Sequence, residues 1–129
     1  AMLFGVAITV LVQSSSITTS MVVPLVGAGI LTLEAVFPFT LGANVGTTVT
    51  AMLASLATGS LAAVTVAFAH FFFNLTGIGV IYPLRTVRQI PLRMARALAV
   101  LTSRNRAYAL VYVIGVFYVI PLALILVWR

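Results

Sequence analysis

The sequence predicts an all-α membrane protein made of a re-entrant helical hairpin, a broken transmembrane helix, two further spans and an interfacial amphipathic helix. Three observations predict it. Of the 129 residues, 63% are hydrophobic and 6% charged, against about 25% charged in a soluble domain. All seven arginines fall between Arg85 and Arg129, and the residues before them carry one charge, Glu34. The apolar runs are interrupted by clusters of uncharged polar residues.

The net charge of +6 therefore belongs to one segment. Basic residues beside membrane spans report topology, and so apolar a chain has no exposed groove for nucleic acid. There is no Cys, hence no disulfide framework and no thiolate metal site. A secretory signal is not expected at the N-terminus, which lacks a basic leader. The start at Ala1 and the end at Trp128-Arg129 read as cuts through a longer protein.

Residues 1–34 are expected to form the hairpin. Gln13-Ser14-Ser15-Ser16-Ile17-Thr18-Thr19-Ser20 has seven polar side chains in eight, flanked by the apolar runs Met2 to Val12 and Met21 to Leu31. Each run makes a helix of about 16 Å, roughly half the hydrocarbon thickness. One rod from 2 to 33 would measure about 48 Å, too long for one straight span and too short for two. A hairpin with the octet at its tip fits, and such a tip exists only where protein or water satisfies its backbone. Polar residues at that depth are costly and mark sites.

Gly27-Ala28-Gly29 and Thr32-Leu33-Glu34 read as a return loop, with Glu34 favouring a helix N-terminus. Residues 35–57 are expected to cross the membrane as a broken helix, because Gly42, Asn44 and Gly46 loosen the middle of the run. In transporters such breaks expose carbonyls to cations and N–H groups to anions. The competing reading is close packing, with Gly42 and Gly46 letting another helix approach. Thr47 and Thr50 share one face of the second half.

Thr58-Gly59-Ser60 predicts a turn, and 61–83 a span ending at Pro83. Within it His70 and Asn74 stand one turn apart, as packing residues or a proton relay; no second His, Asp or Glu is near enough in sequence to build a metal centre or an acid–base pair. From 85 to 104, Val87, Ile90, Met94, Leu98 and Leu101 recur at spacings of three and four, with Arg85, Arg88, Arg93 and Arg96 on the other side. That is an amphipathic interfacial helix, kinked or divided by Pro91. Arg104 and Arg106 close the basic segment. Residues 107–128 form the last span, with Pro121 inside and Tyr108 and Trp128 at its ends. A cytoplasmic basic segment 85–106, as the positive-inside rule requires, would place the opening to the octet on the cytoplasmic side.

The residues also carry a resemblance. QSSS (Gln13–Ser16), PFTLGANVGTTVTAML (Pro38–Leu53), HFFFN (His70–Asn74) and YPLRTVRQIPLRMARAL (Tyr82–Leu98) together resemble the second repeat of the type II sodium-dependent phosphate cotransporters, a family of epithelial carriers and bacterial relatives, in order and spacing. That family is built from two inverted repeats, each with QSSS, and this chain resembles one half. The resemblance implies sodium ligands at Gln13, Ser14, Thr47 and Thr50, and phosphate neighbours at Ser14, Ser15, Ser16, Asn44 and Thr48. It also implies sodium as co-transported ion, inorganic phosphate as substrate, and a second QSSS repeat as partner, from a first half or another copy. The location implied is the plasma membrane or a bacterial inner membrane, within the lipid bilayer.

The chemistry of the residues is compatible. Sodium prefers oxygen ligands, and the segment before Arg85 offers Gln, Ser and Thr oxygens without a buried carboxylate. With no Arg there, a phosphate dianion would rely on helix N-termini, hydroxyl and amide donors and co-bound sodium. The expectation is half of the transport core of a sodium-coupled phosphate symporter working by alternating access. The alternatives are a channel-like pore element or a non-transporting membrane assembly subunit. An enzyme is not expected.

Overall fold

A computed structural model describes residues 1–128; Arg129 lies outside the described residues. Among these, every regular element is helical: α1 (Met2–Val12), α2 (Ser15–Gly27), α3 (Leu33–Ala57), α4 (Leu61–Ile81), α5 (Arg85–Arg104), α6 (Ala107–Ile114), a π-helical turn (Gly115–Val119) and α7 (Ile120–Val127). Three stretches are long and apolar enough to cross a membrane, namely α3, α4 and the run Ala107–Val127. Helices α1 and α2, with 11 and 13 residues, reach only about 16 and 20 Å. The chain divides into two compact units, Ala1–Gln89 and a second beginning at Ile90.

In the first unit α1 packs on α3 through small residues. A Cβ on Gly5 would strike the Phe39 carbonyl, one on Gly42 the Met2 carbonyl, and one on Gly46 would come within 2.7 Å of the Thr9 Cβ. Only residues without a side chain permit backbones this close, as at small-residue crossings in membranes. Phe4 and Phe39 meet across the same crossing, ring centroids 6.3 Å apart. Both buried residues of α1, Gly5 and Thr9, and four of the six buried in α3, Phe39, Gly42, Ala43 and Gly46, lie along it.

This crossing corrects the expected broken helix: α3 runs unbroken through Gly42, Asn44 and Gly46. The glycines serve approach, and the threonines are compatible with the helix because each hydroxyl bonds back to a carbonyl of the preceding turn. Thr47 donates to Ala43 O (3.2 Å), Thr48 to Val45 O (2.7 Å) and Thr50 to Thr47 O (2.8 Å), an arrangement open to hydroxyls in helices.

The chain breaks instead at Gln13 and Ser14. The octet is not all loop: Ser15 to Ser20 are the opening turns of α2, which begins six residues before the expected Met21 and ends at Gly27 rather than Leu31. Ser14 caps that helix, and Thr18 and Thr19 hydroxyls bond to the carbonyls of Ser14 (2.9 Å) and Ser15 (2.7 Å). Six hydroxylic or β-branched residues can be helical when their polar groups bond within the helix itself.

Thr32 caps α3, its Oγ1 accepting from Ala35 N at 3.3 Å, with Glu34 in the first turn. At the α3–α4 turn Gly59 takes φ +65°, the left-handed conformation that favours glycine, and Ser60 caps α4.

Helix α5, which begins before the boundary between the units, passes Pro91 without dividing. The last span is not uniformly α-helical: Ile120 N–H bonds to Gly115 O, one residue beyond the α-helical register. Pro121 lacks an N–H, and in α geometry its ring would press on the carbonyl four residues back. The wider π turn just before it relieves that contact.

Candidate functional site

The candidate site lies at the junction of α1 and α2. Gln13 ends α1 in the left-handed region, φ 57° and ψ 23°, with its N–H on Thr9 O at 2.7 Å. For a residue with a Cβ that conformation costs about 1–2 kcal/mol. Ser14 is extended, and its Oγ accepts from Ile17 N at 3.3 Å while its carbonyl accepts from Thr18 N at 3.0 Å. The carbonyls of Val10, Leu11 and Val12 are thus at a helix C-terminus and the N–H groups of Ser15 and Ser16 at a helix N-terminus, none with an intrahelical partner. Two short helices present opposite dipole ends on either side of two residues, which favours a cation and an anion side by side.

Beside this junction an open cleft of about 430 Å³ is lined by Val10, Gln13, Thr47, Thr50, Ala51, Leu53 and Ala54. Thr47, Thr50, Ala51 and Ala54 lie at helical spacings of three and four, so α3 presents one face here. The cleft brings together Gln13, Thr47 and Thr50, three of the four residues implied as sodium ligands; the fourth, Ser14, is next to Gln13 but not on the lining. The Thr47 and Thr50 protons are engaged by helix carbonyls, which leaves each hydroxyl oxygen as an acceptor toward the cleft. The side-chain donors on the lining, from Gln13, Thr47 and Thr50, are neutral oxygens, of the kind that suits a hard alkali cation.

The other expected residues are more scattered. Ser15 is half-buried in the first turn of α2, and Ser16 lines a separate shallow depression with Ile17, Ser20 and Met21. Asn44 is exposed on α3. Thr48 is fully buried, its proton on Val45 O, and is absent from the cleft lining. His70 is exposed and Asn74 half-buried on α4. One residue escaped the sequence reading: Thr9, fully buried, whose carbonyl holds Gln13 and whose side chain rests on Gly46. Its position one turn before Gln13 was the available signal.

The Na+/Pi-cotransporter family model matches residues 1–101. The sodium-dependent phosphate transport protein 2B of Bos taurus is 46% identical over 126 residues, covering 95% of this chain and 18% of that protein. The Homo sapiens 2B protein is 45% identical over 125 residues, with the same coverage. The 2A protein of Oryctolagus cuniculus is 45% identical over 124 residues, 94% of this chain and 19% of its own length. The chain thus spans about a fifth of the length of these relatives. No solved structure matches it significantly. With most of its length inside the family model and nearly all of it aligned to relatives, the chain belongs to the Na+/Pi-cotransporter family.

Proposed function

We propose that this chain is one inverted-repeat half of the transport core of a sodium-coupled inorganic phosphate symporter. The observation that carries the reading is the cleft where Gln13 from the end of α1 meets Thr47 and Thr50 from one face of α3. Sodium is held by the Gln13 side-chain oxygen and the two threonine oxygens, with Ser14 and the carbonyls at the end of α1 within the same junction. Phosphate is held on the α2 side, by the N–H groups of Ser15 and Ser16 and the hydroxyls of Ser14, Ser15 and Ser16; Asn44, exposed on α3 and on the lining of neither depression, has no part in this arrangement. Ser14 suits an anion well: its oxygen already accepts from Ile17 N, so its own proton remains available to donate. The placement of Thr48 favours a packing role instead.

Coupling follows from charge. A dianion in a medium of low dielectric constant is poorly stabilised without its cations, and each ion favours binding of the other. Helices α1 and α2 enter and leave the membrane from the same side as a re-entrant hairpin, since neither is long enough to cross. The second QSSS repeat completes the site, and movement of one repeat against the other exposes it to alternate sides. The basic segment 85–106 faces the cytoplasm.

The experiment is phosphate uptake by proteoliposomes containing the full-length protein. Accumulation of phosphate against its gradient, driven by an inward sodium gradient and abolished when sodium is replaced by choline, is expected. Uptake that only equilibrates phosphate, or ignores sodium, contradicts the reading.

A further inference from the structure

The segment from Ile90 to Arg106 has no part in the cleft, yet it combines two features that sit poorly together in water. It carries Arg93, Arg96, Arg104 and Arg106, with no Asp or Glu anywhere after Glu34. It also leaves apolar side chains uncovered: Met94 is 67% exposed, Ile90 54% and Leu101 43%. These three lie four and seven residues apart, hence on one stripe of α5. Arg93 and Arg104, eleven residues apart, fall within about 20° of each other along the flank of that stripe, separated by about 16 Å. Apolar bodies bordered by guanidinium groups match the boundary between acyl chains and phosphate headgroups.

A second observation lies beside the stripe. Pro91, Met94, Ala95 and Leu98 of α5 line an apolar groove of about 320 Å³ together with Tyr112 of α6. The segment lies in the chain between α4 and the run Ala107–Val127, both long and apolar enough to cross a membrane, and crossing by both would leave it at the membrane surface.

We propose that residues 90–106 form a docking surface for anionic phospholipid. Arginines of this segment bind the headgroup phosphates, Arg being suited to paired hydrogen bonds with phosphate oxygens, while the groove at Pro91, Met94 and Leu98 receives an acyl chain. Inorganic phosphate would satisfy the arginines and leave the stripe and groove uncovered; a zwitterionic lipid would fill the groove but add no net negative charge. Only an anionic phospholipid satisfies both.

The test uses the full-length protein extracted from bilayers of equal parts phosphatidylglycerol and phosphatidylcholine, with the retained lipid counted by native mass spectrometry. Phosphatidylglycerol should be retained in excess. Combining Arg93→Gln, Arg96→Gln and Arg104→Gln should cut that excess on the order of tenfold or more, and lysine at the same positions should keep most of it. Should the triple variant fail to fold, the unmodified protein still answers: raising salt from about 0.1 to about 1 M shortens the screening length from about 10 to about 3 Å and should abolish the excess. Inorganic phosphate added at matched ionic strength should displace none. Equal retention of the two lipids, or an excess that survives the triple substitution or high salt, overturns the proposal; displacement by inorganic phosphate overturns it in favour of a free-phosphate site.

Discussion

Gly46 of α3 lies against Thr9 of α1 so closely that a Cβ on the glycine would come within 2.7 Å of the threonine Cβ. This contact places the end of α1, and therefore Gln13, against the face of α3 that carries Thr47 and Thr50. The spacing of two backbones thus fixes which oxygens share the cleft.

The first prediction concerns that spacing. Alanine at Gly42 meets only the Met2 backbone, whereas alanine at Gly46 meets the Thr9 side chain at 2.7 Å and, less closely, the Val6 carbonyl at 2.9 Å. Overpacking of this kind costs about 1–3 kcal/mol, partly offset by about 1 kcal/mol from the better helix propensity of alanine. Thermal unfolding of the full-length protein in detergent should show Gly42→Ala the more damaging of the two. Thr9→Gly removes the Cβ that a side chain at position 46 would meet, so Gly46→Ala should cost less in a Thr9→Gly background than in the unmodified protein, and Gly42→Ala should cost the same in both.

Thr47 and Thr48 are neighbours with different surroundings, and they should separate in function. Thr47→Val removes an oxygen that faces the cleft and should raise the half-saturating sodium concentration about 5- to 30-fold, the equivalent of about 1–2 kcal/mol. Thr48→Val removes a buried hydroxyl bonded to Val45 O and should leave sodium and phosphate half-saturation within about twofold, with a stability change of about 1 kcal/mol or less. Sodium titrations of phosphate uptake distinguish them.

At Gln13, stability and function should move in opposite directions. Glycine adopts the left-handed conformation without the penalty that Gln13 bears, so Gln13→Gly should stabilise the α1–α2 junction by roughly 1 kcal/mol. The same change deletes the side-chain oxygen in the cleft and should weaken sodium activation of uptake several-fold. A melting temperature that rises while sodium affinity falls is the expected pair of results.

Ser14 is both the cap of α2 and a proposed phosphate neighbour. Ser14→Ala should cost about 0.5–2 kcal/mol of stability through the lost cap, and Ser14→Asp should recover the cap. Asp also adds a negative charge beside the proposed anion, so phosphate uptake should not recover with stability. Uptake that returned in step with the melting temperature would leave Ser14 as a cap alone.

Much of this architecture could be read from residue patterns, and the exceptions have physical causes. The helix Met2 to Val12, the turn at Gly59 and the amphipathic run from Arg85 to Arg104 are set by local signals: an apolar run ended by polar residues, a glycine beside capping residues, and a repeat of three and four. Gly42 and Gly46 were ambiguous because a glycine that loosens a helix and a glycine that admits a neighbouring backbone look alike in one dimension; only the position of α1 decides between them. Ser15 to Ser20 looked like loop because the hydroxyls that could compete with the helix also bond within it. The π turn before Pro121 left no separate trace beyond the proline. Gln13, Thr47 and Thr50 were implied as one group by the family resemblance, while the intervening Thr9 was visible only once α1 and α3 were seen to cross.

The most direct test of the central claim is a double-mutant cycle between Gln13 and Thr47, with the half-saturating sodium concentration for phosphate uptake as the readout. If both residues hold one sodium ion, Gln13→Ala and Thr47→Val together should depart from the sum of the single effects by about 0.5–3 kcal/mol, the range for groups that share a partner. Effects that add to within about 0.3–0.5 kcal/mol would mean that the two oxygens act on separate ions, or on none, and would contradict the account.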